Sequence, residues 1–114
     1  MQADLAEVND VERLVQDLIA LVESESITLN AIIHNASCFY PDDLTASIQE
    51  RWRNQQVMTA VHVAATQAIS LGLADFMVEN AYIIDLSDIY ADMPKEPFAD
   101  VVNCKVGVEH VRFR

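Results

Sequence analysis

The chain is organised around residues 29–37, which read Leu-Asn-Ala-Ile-Ile-His-Asn-Ala-Ser. The apolar run at residues 31–33 is too short to span a membrane and has the composition of a parallel strand buried on both faces. It ends in a cluster of small polar side chains. Ligands of open α/β sheets bind beyond the carboxyl ends of the strands. The stretch therefore predicts a buried strand followed by a ligand-binding turn, unless Asn35 and Ser37 serve only as turn formers.

Strand and helix patterns alternate along the first half of the chain. Residues 1–5 are predicted to be the tail of a strand. A helix follows, with Asn9 as its predicted N-cap and Glu12 completing a capping box. One face of this helix is apolar and comprises Val11, Leu14, Val15, Leu18 and Val22. The periodicity predicts an amphipathic helix of about three turns, which the strand at residues 29–34 follows.

The second half continues the alternation. A long helix is predicted from about Ser47 to Leu71, with Gly72 as its stop. Its predicted contact face consists of small and β-branched residues, namely Val57, Val61, Ala64 and Ala68. A strand at residues 82–86, a loop at 89–97 and a final helix from Phe98 follow. This order predicts an α/β fold with the strands at 31–33 and 83–86 adjacent and parallel.

The composition and charge of the chain limit the kinds of partner that it can bind. The 114 residues form one small domain, and a hydrophobic fraction of 52% favours a folded chain over a disordered one. The net charge of −11 repels phosphate backbones and anionic lipids, so we expect neither nucleic-acid nor membrane binding. The N-terminus lacks the features of a signal peptide, and Cys38 and Cys104 are predicted to be free thiols. Together these features predict a cytoplasmic protein.

A metal site is not expected. The three histidines, His34, His62 and His110, do not have the spacing of metal ligands.

The central stretch also resembles a known family. Ile-His-Asn-Ala-Ser at residues 33–37 resembles the Asn-Asn-Ala-Gly turn of short-chain dehydrogenases/reductases. The histidine before it and the serine in place of glycine resemble the dihydromonapterin reductase and pteridine reductase branch, as does Gln-Ala-Asp-Leu at residues 2–5. The resemblance spans essentially the whole chain. It implies a partial Rossmann-like parallel sheet flanked by helices.

The resemblance also implies a cofactor and a substrate. In this family NADPH is the hydride donor, and the matching cofactor-binding positions here are Asp4, Asn35, Ala36, Ser37 and Lys105. Aromatic residues after the Ala-Ser pair line the pterin pocket of pteridine reductases. Phe39 and Tyr40 are the matching residues. The alternative is that these two aromatic side chains only pack on the adjoining helix.

The catalytic positions match the family only in part. A tyrosine of the family protonates the substrate, and a lysine four residues later holds the nicotinamide ribose. Asp88 matches the aspartate that positions the substrate in pteridine reductases, and Lys105 matches the lysine. The tyrosine position falls on Val101, which cannot donate a proton. The asparagine of the family's long helix is matched by His62 or Met58, and the Val-His-Val context favours His62.

The glycine-rich part of the family pattern is missing. The family's first βαβ unit carries Gly-x-x-x-Gly-x-Gly, which lets the backbone approach the pyrophosphate. This chain has only Gly72 and Gly107, and neither opens a helix after a strand. Residues 1–114 therefore match a single partial Rossmann-like domain that lacks the N-terminal glycine-rich βαβ unit. A truncated gene, a processed fragment and the ordered part of a longer chain all fit this pattern.

Two functions follow from this comparison. The first is an NADPH-dependent short-chain reductase acting on pterins, inactive as the isolated chain because no NADPH is expected to bind it. The second is a non-catalytic relic or oligomerisation module that retains the fold. The family's long helix and its Tyr-x-x-x-Lys helix pack against their copies in a second subunit. The matching segments at residues 47–71 and 98–111 therefore imply a homo-oligomer.

Overall fold

The computed structural model describes residues 1–41 and 43–86. Helix α1 covers Val8–Glu25, α2 covers Ile48–Thr59 and α3 covers Ala65–Leu73. Strand β1 covers Leu29–His34 and β2 covers Met77–Asp85. The predicted loop at 89–97 and the predicted helix from Phe98 lie outside the described residues.

The two strands form a parallel pair, as the sequence predicts. Ile32 lies opposite Ile83, and His34 lies opposite Asp85 at the carboxyl ends of both strands. The connection through α2 and α3 makes a βαβ unit, so both strands end at the same edge of the sheet. The predicted α/β class with a small parallel sheet flanked by helices is confirmed.

Strand β2 begins earlier than the predicted residue 82. Met77 pairs with Leu29, but Tyr82 already pairs with Ala31, so β2 contains extra residues that β1 does not match. Asn80 lies within this irregularity and has a φ of 65°. Asparagine tolerates that left-handed conformation better than most residues do. Because the bulge interrupts the alternation of side chains, a period-two sequence pattern does not detect the start of the strand.

The core lies between the helices and one face of the sheet. Its buried residues come from α1 and α3 and are Val11, Ala65, Ile69 and Leu73. Leu14, Val15 and Leu18 of the predicted apolar face of α1 pack against them, together with Ile32 of β1. The amphipathic pattern of α1 therefore identifies its core-facing side correctly.

The prediction that the central strand is buried on both faces is wrong. Ile32 faces the core, whereas the side chain of Ile33 is 59% exposed and that of Tyr82 is 69% exposed. Since α1 and α3 pack together on the Ile32 side, no helix among the described residues covers the opposite face of the sheet. The apolar run has the composition of a central strand. Among the described residues, however, the second layer of helices that usually covers such a strand is missing.

The start of the chain also differs from the prediction. Residues 1–5 form no strand, because the carbonyl oxygen of Asp4 accepts a hydrogen bond from the amide of Glu7, 3.1 Å away, in a turn. Asn9 lies inside α1, whose N-cap is Glu7 with no side-chain cap. Asp10 in the first turn instead accepts a hydrogen bond from the amide of Asp4, at 2.8 Å. This backward contact replaces the predicted capping box.

The predicted long helix begins where expected. Ser47 caps α2, its hydroxyl accepts from the amide of Glu50 at 3.1 Å, and the Glu50 carboxylate accepts from the amide of Ser47 at 2.9 Å. These reciprocal bonds form a capping box and lower the pKa of Glu50, chiefly through the bond from the Ser47 amide.

A π-helical segment at Ala60–Ala64 joins α2 to α3. The amide of Ala65 donates to the carbonyl oxygen of Ala60, five residues back. The wider turn changes the angular spacing of the side chains, and Val61 and Ala64 line different pockets. The predicted single contact face through Val57, Val61, Ala64 and Ala68 is therefore wrong. A sequence pattern assumes a constant helical period, which this segment breaks.

Gly72 lies inside α3 and does not stop it. A Cβ atom placed on Gly72 would lie 2.7 Å from Cγ1 of Val15. The residue is therefore explained by the close approach of α3 to α1, where a larger side chain would push the two helices apart.

Among the described residues, the continuous helical stretch Ile48–Phe76 is long and apolar enough to cross a membrane by length and composition. Its mean hydropathy is 1.5 in the most apolar window. Core helices of soluble proteins pass the same test, and Ile69 and Leu73 of this stretch belong to the core with α1.

Candidate functional site

An open pocket lies beside the carboxyl end of β1. It has a volume of about 650 Å³, within the range of small-molecule sites. Residues from the chain start, α1, the turn after β1 and the π-helical segment line it: Gln2, Ala3, Asp4, Leu5, Asp10, Arg13, Ala36, Ser37, Cys38 and Val61. Asp4, Ala36 and Ser37, three of the predicted cofactor-binding residues, are thus brought together.

The acidic side of this pocket is built by the turn that precedes α1. Oδ1 of Asp4 accepts a hydrogen bond from the amide of Ala6 at 2.9 Å, which fixes the carboxylate in place. Arg13 forms an ion pair with Asp10 at 3.0 Å and donates to the carbonyl oxygen of Gln2 at 3.2 Å. Arg13 is the only cation that the described residues contribute to the pocket lining, and it is already engaged in these contacts.

These charges determine what the pocket can hold. Two carboxylates, Asp4 and Asp10, repel phosphate groups and accept hydrogen bonds from amino or hydroxyl groups. The small side chains of Ala36 and Ser37 leave room for a flat ring. The pocket therefore fits an uncharged heterocycle or sugar with hydrogen-bond donors, and a phosphate would need donors from elsewhere.

His34 connects the end of β1 to α3. Its Nε2 lies 2.8 Å from Oγ of Ser70, a residue that is 1% exposed. Burial lowers the pKa of His34, and the negative charge of Asp85 opposes that shift. The neutral imidazole is thus favoured, and it holds the last residue of β1 directly before the turn that lines the pocket.

His62 fixes the other end of the same turn. It is buried in the π-helical segment, and its Nε2 lies 2.8 Å from the carbonyl oxygen and 3.4 Å from the amide of Cys38. One ring nitrogen cannot donate and accept at once, so we assign the shorter contact, with Nε2–H as donor. Thr66 donates to the carbonyl oxygen of His62 at 3.2 Å within the same helix.

The lowered pKa of His34 predicts a pH dependence of stability. The unfolded chain binds this proton near pH 6.5 and the folded chain binds it at lower pH. The contribution of His34 is therefore complete above pH 6.5 and is lost as the pH falls through the pKa of the folded state. As the pH is lowered from 7 to 5, before most carboxylates titrate, the urea concentration at the unfolding midpoint is expected to decrease.

The matched control for this measurement is His34→Gln, which removes the titrating ring. Its unfolding midpoint is expected to change less between the same two pH values than that of the unmodified chain. An equal or larger change in the variant would contradict the assignment of this pH dependence to His34.

Three other predicted site residues, Asn35, Phe39 and Tyr40, do not line the pocket. Asn35 is exposed and lies next to it, whereas Phe39 and Tyr40 are 55% and 38% exposed and do not line it. Asp88, Val101 and Lys105 lie outside the described residues, so their predicted roles remain predictions.

Several pocket residues were not predicted from the sequence. Arg13, Cys38 and Val61 have no role in a site that the sequence assigns. The turn before α1 brings these side chains together, and no local sequence pattern predicts this turn. His62 was matched to the asparagine of the family's long helix, but its contact with Cys38 after β1 was not predicted.

Among residues 1–41 and 43–86, no three or more His, Cys, Asp or Glu side chains are grouped so that they could hold a metal ion. The predicted absence of a metal site stays a prediction for the chain as a whole.

A second, largely apolar groove runs along the outer side of the long helix. Its volume is about 440 Å³, and it is lined by Trp52, Gln55, Gln56, Thr59, Ala60 and Ala64. The side chain of Trp52 is 69% exposed. A large exposed aromatic side chain beside an apolar groove is typical of an interaction surface.

Comparison with solved structures finds the same arrangement of helices and strands. An angucycline C-6 ketoreductase, LanV, with bound NADP superposes with a TM-score of 0.80 at 20% sequence identity, over 96% of this chain and 42% of that chain. The chain has the fold of the short-chain dehydrogenases. No protein-family model matches the sequence. No curated protein matches it either.

Two further structures share the short-chain dehydrogenase fold. A short-chain dehydrogenase family protein from Francisella tularensis superposes with a TM-score of 0.77 at 14% identity, over 96% of this chain and 42% of that one. A metagenomic short-chain oxidoreductase in complex with NADP superposes with a TM-score of 0.77 at 17% identity, over 97% of this chain and 48% of that one. The chain spans less than half the length of these three proteins.

Proposed function

We propose that this chain belongs to an NADPH-dependent short-chain reductase that acts on pterins. The observation that carries the proposal is the pocket at the carboxyl end of β1, where Asp4, Ala36 and Ser37 meet. The fold is shared with two solved structures that contain NADP. The His-Asn-Ala-Ser sequence at residues 34–37 supports the pterin-reducing branch by resemblance.

The same site is incomplete for a dinucleotide. Asp4 and Ser37 suit the uncharged adenosine part, whereas the pyrophosphate needs several backbone amides at a glycine-rich helix start. Gly72 lies inside α3, and the other glycine, Gly107, lies outside the described residues. Lys105 alone supplies one charge and cannot replace these donors. We therefore propose that the isolated chain does not bind NADPH measurably and does not reduce pterins.

A chimera tests this function. The glycine-rich βαβ segment of one of the NADP-bound proteins is fused before Met1, and NADPH binding is followed by nicotinamide fluorescence. The chimera is expected to bind NADPH, and Asp4→Ala in the chimera is expected to weaken binding. Glu7→Ala removes an exposed carboxylate that does not line the pocket and is the matched control. Equal affinities for the two variants would contradict the role of Asp4.

The alternative is a non-catalytic relic or oligomerisation module that retains the reductase fold. Val101 at the tyrosine position and the exposed groove beside Trp52 favour it. The two functions differ in one outcome: a chimera that binds NADPH but does not oxidise it with any dihydropterin supports the relic.

Self-association is expected under either function. The family resemblance implies contacts through residues 47–71, and the groove along Trp52, Ala60 and Ala64 gives that surface an apolar centre. Removing a central tryptophan from an interface costs about 2 kcal/mol or more of binding free energy. Trp52→Ala is therefore expected to raise the dissociation constant of the oligomer by more than tenfold in sedimentation equilibrium.

The control for this experiment is Val8→Ala, which truncates a side chain that is 77% exposed at the start of α1. It is expected to leave the dissociation constant unchanged. A monodisperse monomer of the unmodified chain at tens of micromolar would contradict the proposal of an oligomer.

The proposed location is the cytoplasm, since the reaction uses a soluble cofactor and the chain has a net charge of −11.

A further inference from the structure

The turn that lines the pocket is tied to one continuous helix at both of its ends. His34, directly before the turn, contacts Oγ of Ser70 at 2.8 Å. His62 contacts the carbonyl oxygen of Cys38, directly after it, at 2.8 Å. Residues 35–37 therefore lie between two imidazole anchors, and Ala36 and Ser37 form part of the pocket wall.

The two anchors respond differently to acid. A neutral His62 donates through Nε2–H to a carbonyl oxygen, and the protonated ring keeps the same donor. His34, in contrast, contacts the hydroxyl of Ser70, a residue that is only 1% exposed. A charged imidazolium at this position would lose hydration that one hydroxyl group does not replace.

Few charged groups are available to stabilise a protonated His34. Asp85 on β2 is the one charge in the described part of the chain that acts on it. Helix α3, which carries Ser70, contains no ionisable side chain. Among the described residues, the other titratable or charged groups near the turn are the imidazole of His62, the thiol of Cys38 and, in the lining of the same pocket, Asp4, Asp10 and Arg13. Burial lowers the pKa of His34 despite the attraction of Asp85.

We propose that His34 and Ser70 form a pH-sensitive latch that sets the position of residues 35–37. Neutral His34 holds the end of β1 on α3 and keeps Ala36 and Ser37 at the pocket wall. Protonated His34 leaves Ser70 and turns toward Asp85 and water, and the turn moves with it while His62 keeps Cys38 in place. The latch is a property of the folded chain and does not require that the protein be a reductase.

Nuclear magnetic resonance tests this directly on the full chain without a ligand. The ring of His34 and the backbone amides of residues 35–37 are followed from pH 8 to pH 4.5. All of them are expected to shift with one common midpoint, which lies below that of an unhindered histidine. Amides in the middle of α1, such as that of Leu18, are expected to show no transition at this midpoint. Different midpoints for the ring and the turn amides would overturn the proposal.

Two variants separate the latch from a general effect of pH. His34→Asn keeps a hydrogen-bonding side chain but does not titrate, so the transition of the turn amides is expected to disappear. Ser70→Ala removes the partner, so the turn amides are expected to occupy their low-pH positions already at pH 8. In His62→Gln the transition is expected to remain. Its loss there, or its persistence in His34→Asn, would assign the effect to another group. The comparison in the unmodified chain decides the matter if a variant does not fold.

Discussion

Leu73→Ala is expected to lower the free energy of unfolding by about 2–5 kcal/mol. Leu73 is 2% exposed at the end of α3 and packs in the core with Val11 and Ile69. Its truncation removes apolar contacts and leaves a cavity between α1 and α3. A small domain with one modest core has few other contacts to compensate for this loss. Urea unfolding followed by circular dichroism measures the change.

The control is two residues away on the same helix. Leu71 is 61% exposed, so Leu71→Ala is expected to change the free energy of unfolding by no more than about 0.5 kcal/mol. Because both variants remove the same atoms from one helix, their difference isolates burial from helix propensity. Similar losses in the two variants would contradict the placement of α3 against α1.

Val101→Tyr is expected to raise reductase activity by about 10²–10⁴-fold in the chimera that carries a glycine-rich segment. The change supplies the proton donor that the family places four residues before the lysine, here Lys105. In the isolated chain the same change is expected to give no activity, because hydride transfer also needs a bound cofactor. NADPH oxidation with a dihydropterin measures both proteins.

Val101→Phe is the matched control, since it adds the same ring without the hydroxyl group. Only the tyrosine variant is expected to gain activity. Val101 lies outside the described residues, so this experiment is also the direct test of its alignment with the family tyrosine. Turnover of a dihydropterin by the unmodified isolated chain would contradict the assignment.

Much of the fold is predictable from the sequence because it depends on local patterns. The apolar run at 31–33 gives β1, and the spacing of Val11, Leu14 and Leu18 gives the buried side of α1. Ser47 and Glu50 mark the start of the long helix through a capping box. These features act within one or two turns of chain, where composition and structure are closely linked.

The errors have a common physical origin in contacts between distant segments. Gly72 is explained by the approach of Val15 across two helices, and the π-helical segment at Ala60–Ala64 breaks the constant period on which the contact face depended. The bulge near Asn80 is set by pairing between strands. None of these has a signal in a window of neighbouring residues.

The candidate site is predictable to a similar degree. Its turn at residues 35–37 follows from the strand end, and Asp4 follows from family resemblance. The contributions of Arg13 and Val61 depend on how the chain start folds over α1 and the long helix, which no motif encodes.

We propose that the chain carries only part of a dinucleotide site. Titration of the unmodified 114-residue chain with NADPH, followed by nicotinamide fluorescence, tests it most directly. We predict no saturable change at any concentration up to the millimolar range, while the chimera with a glycine-rich segment binds under the same conditions. Saturable binding of NADPH to the unmodified chain with micromolar affinity would contradict this account.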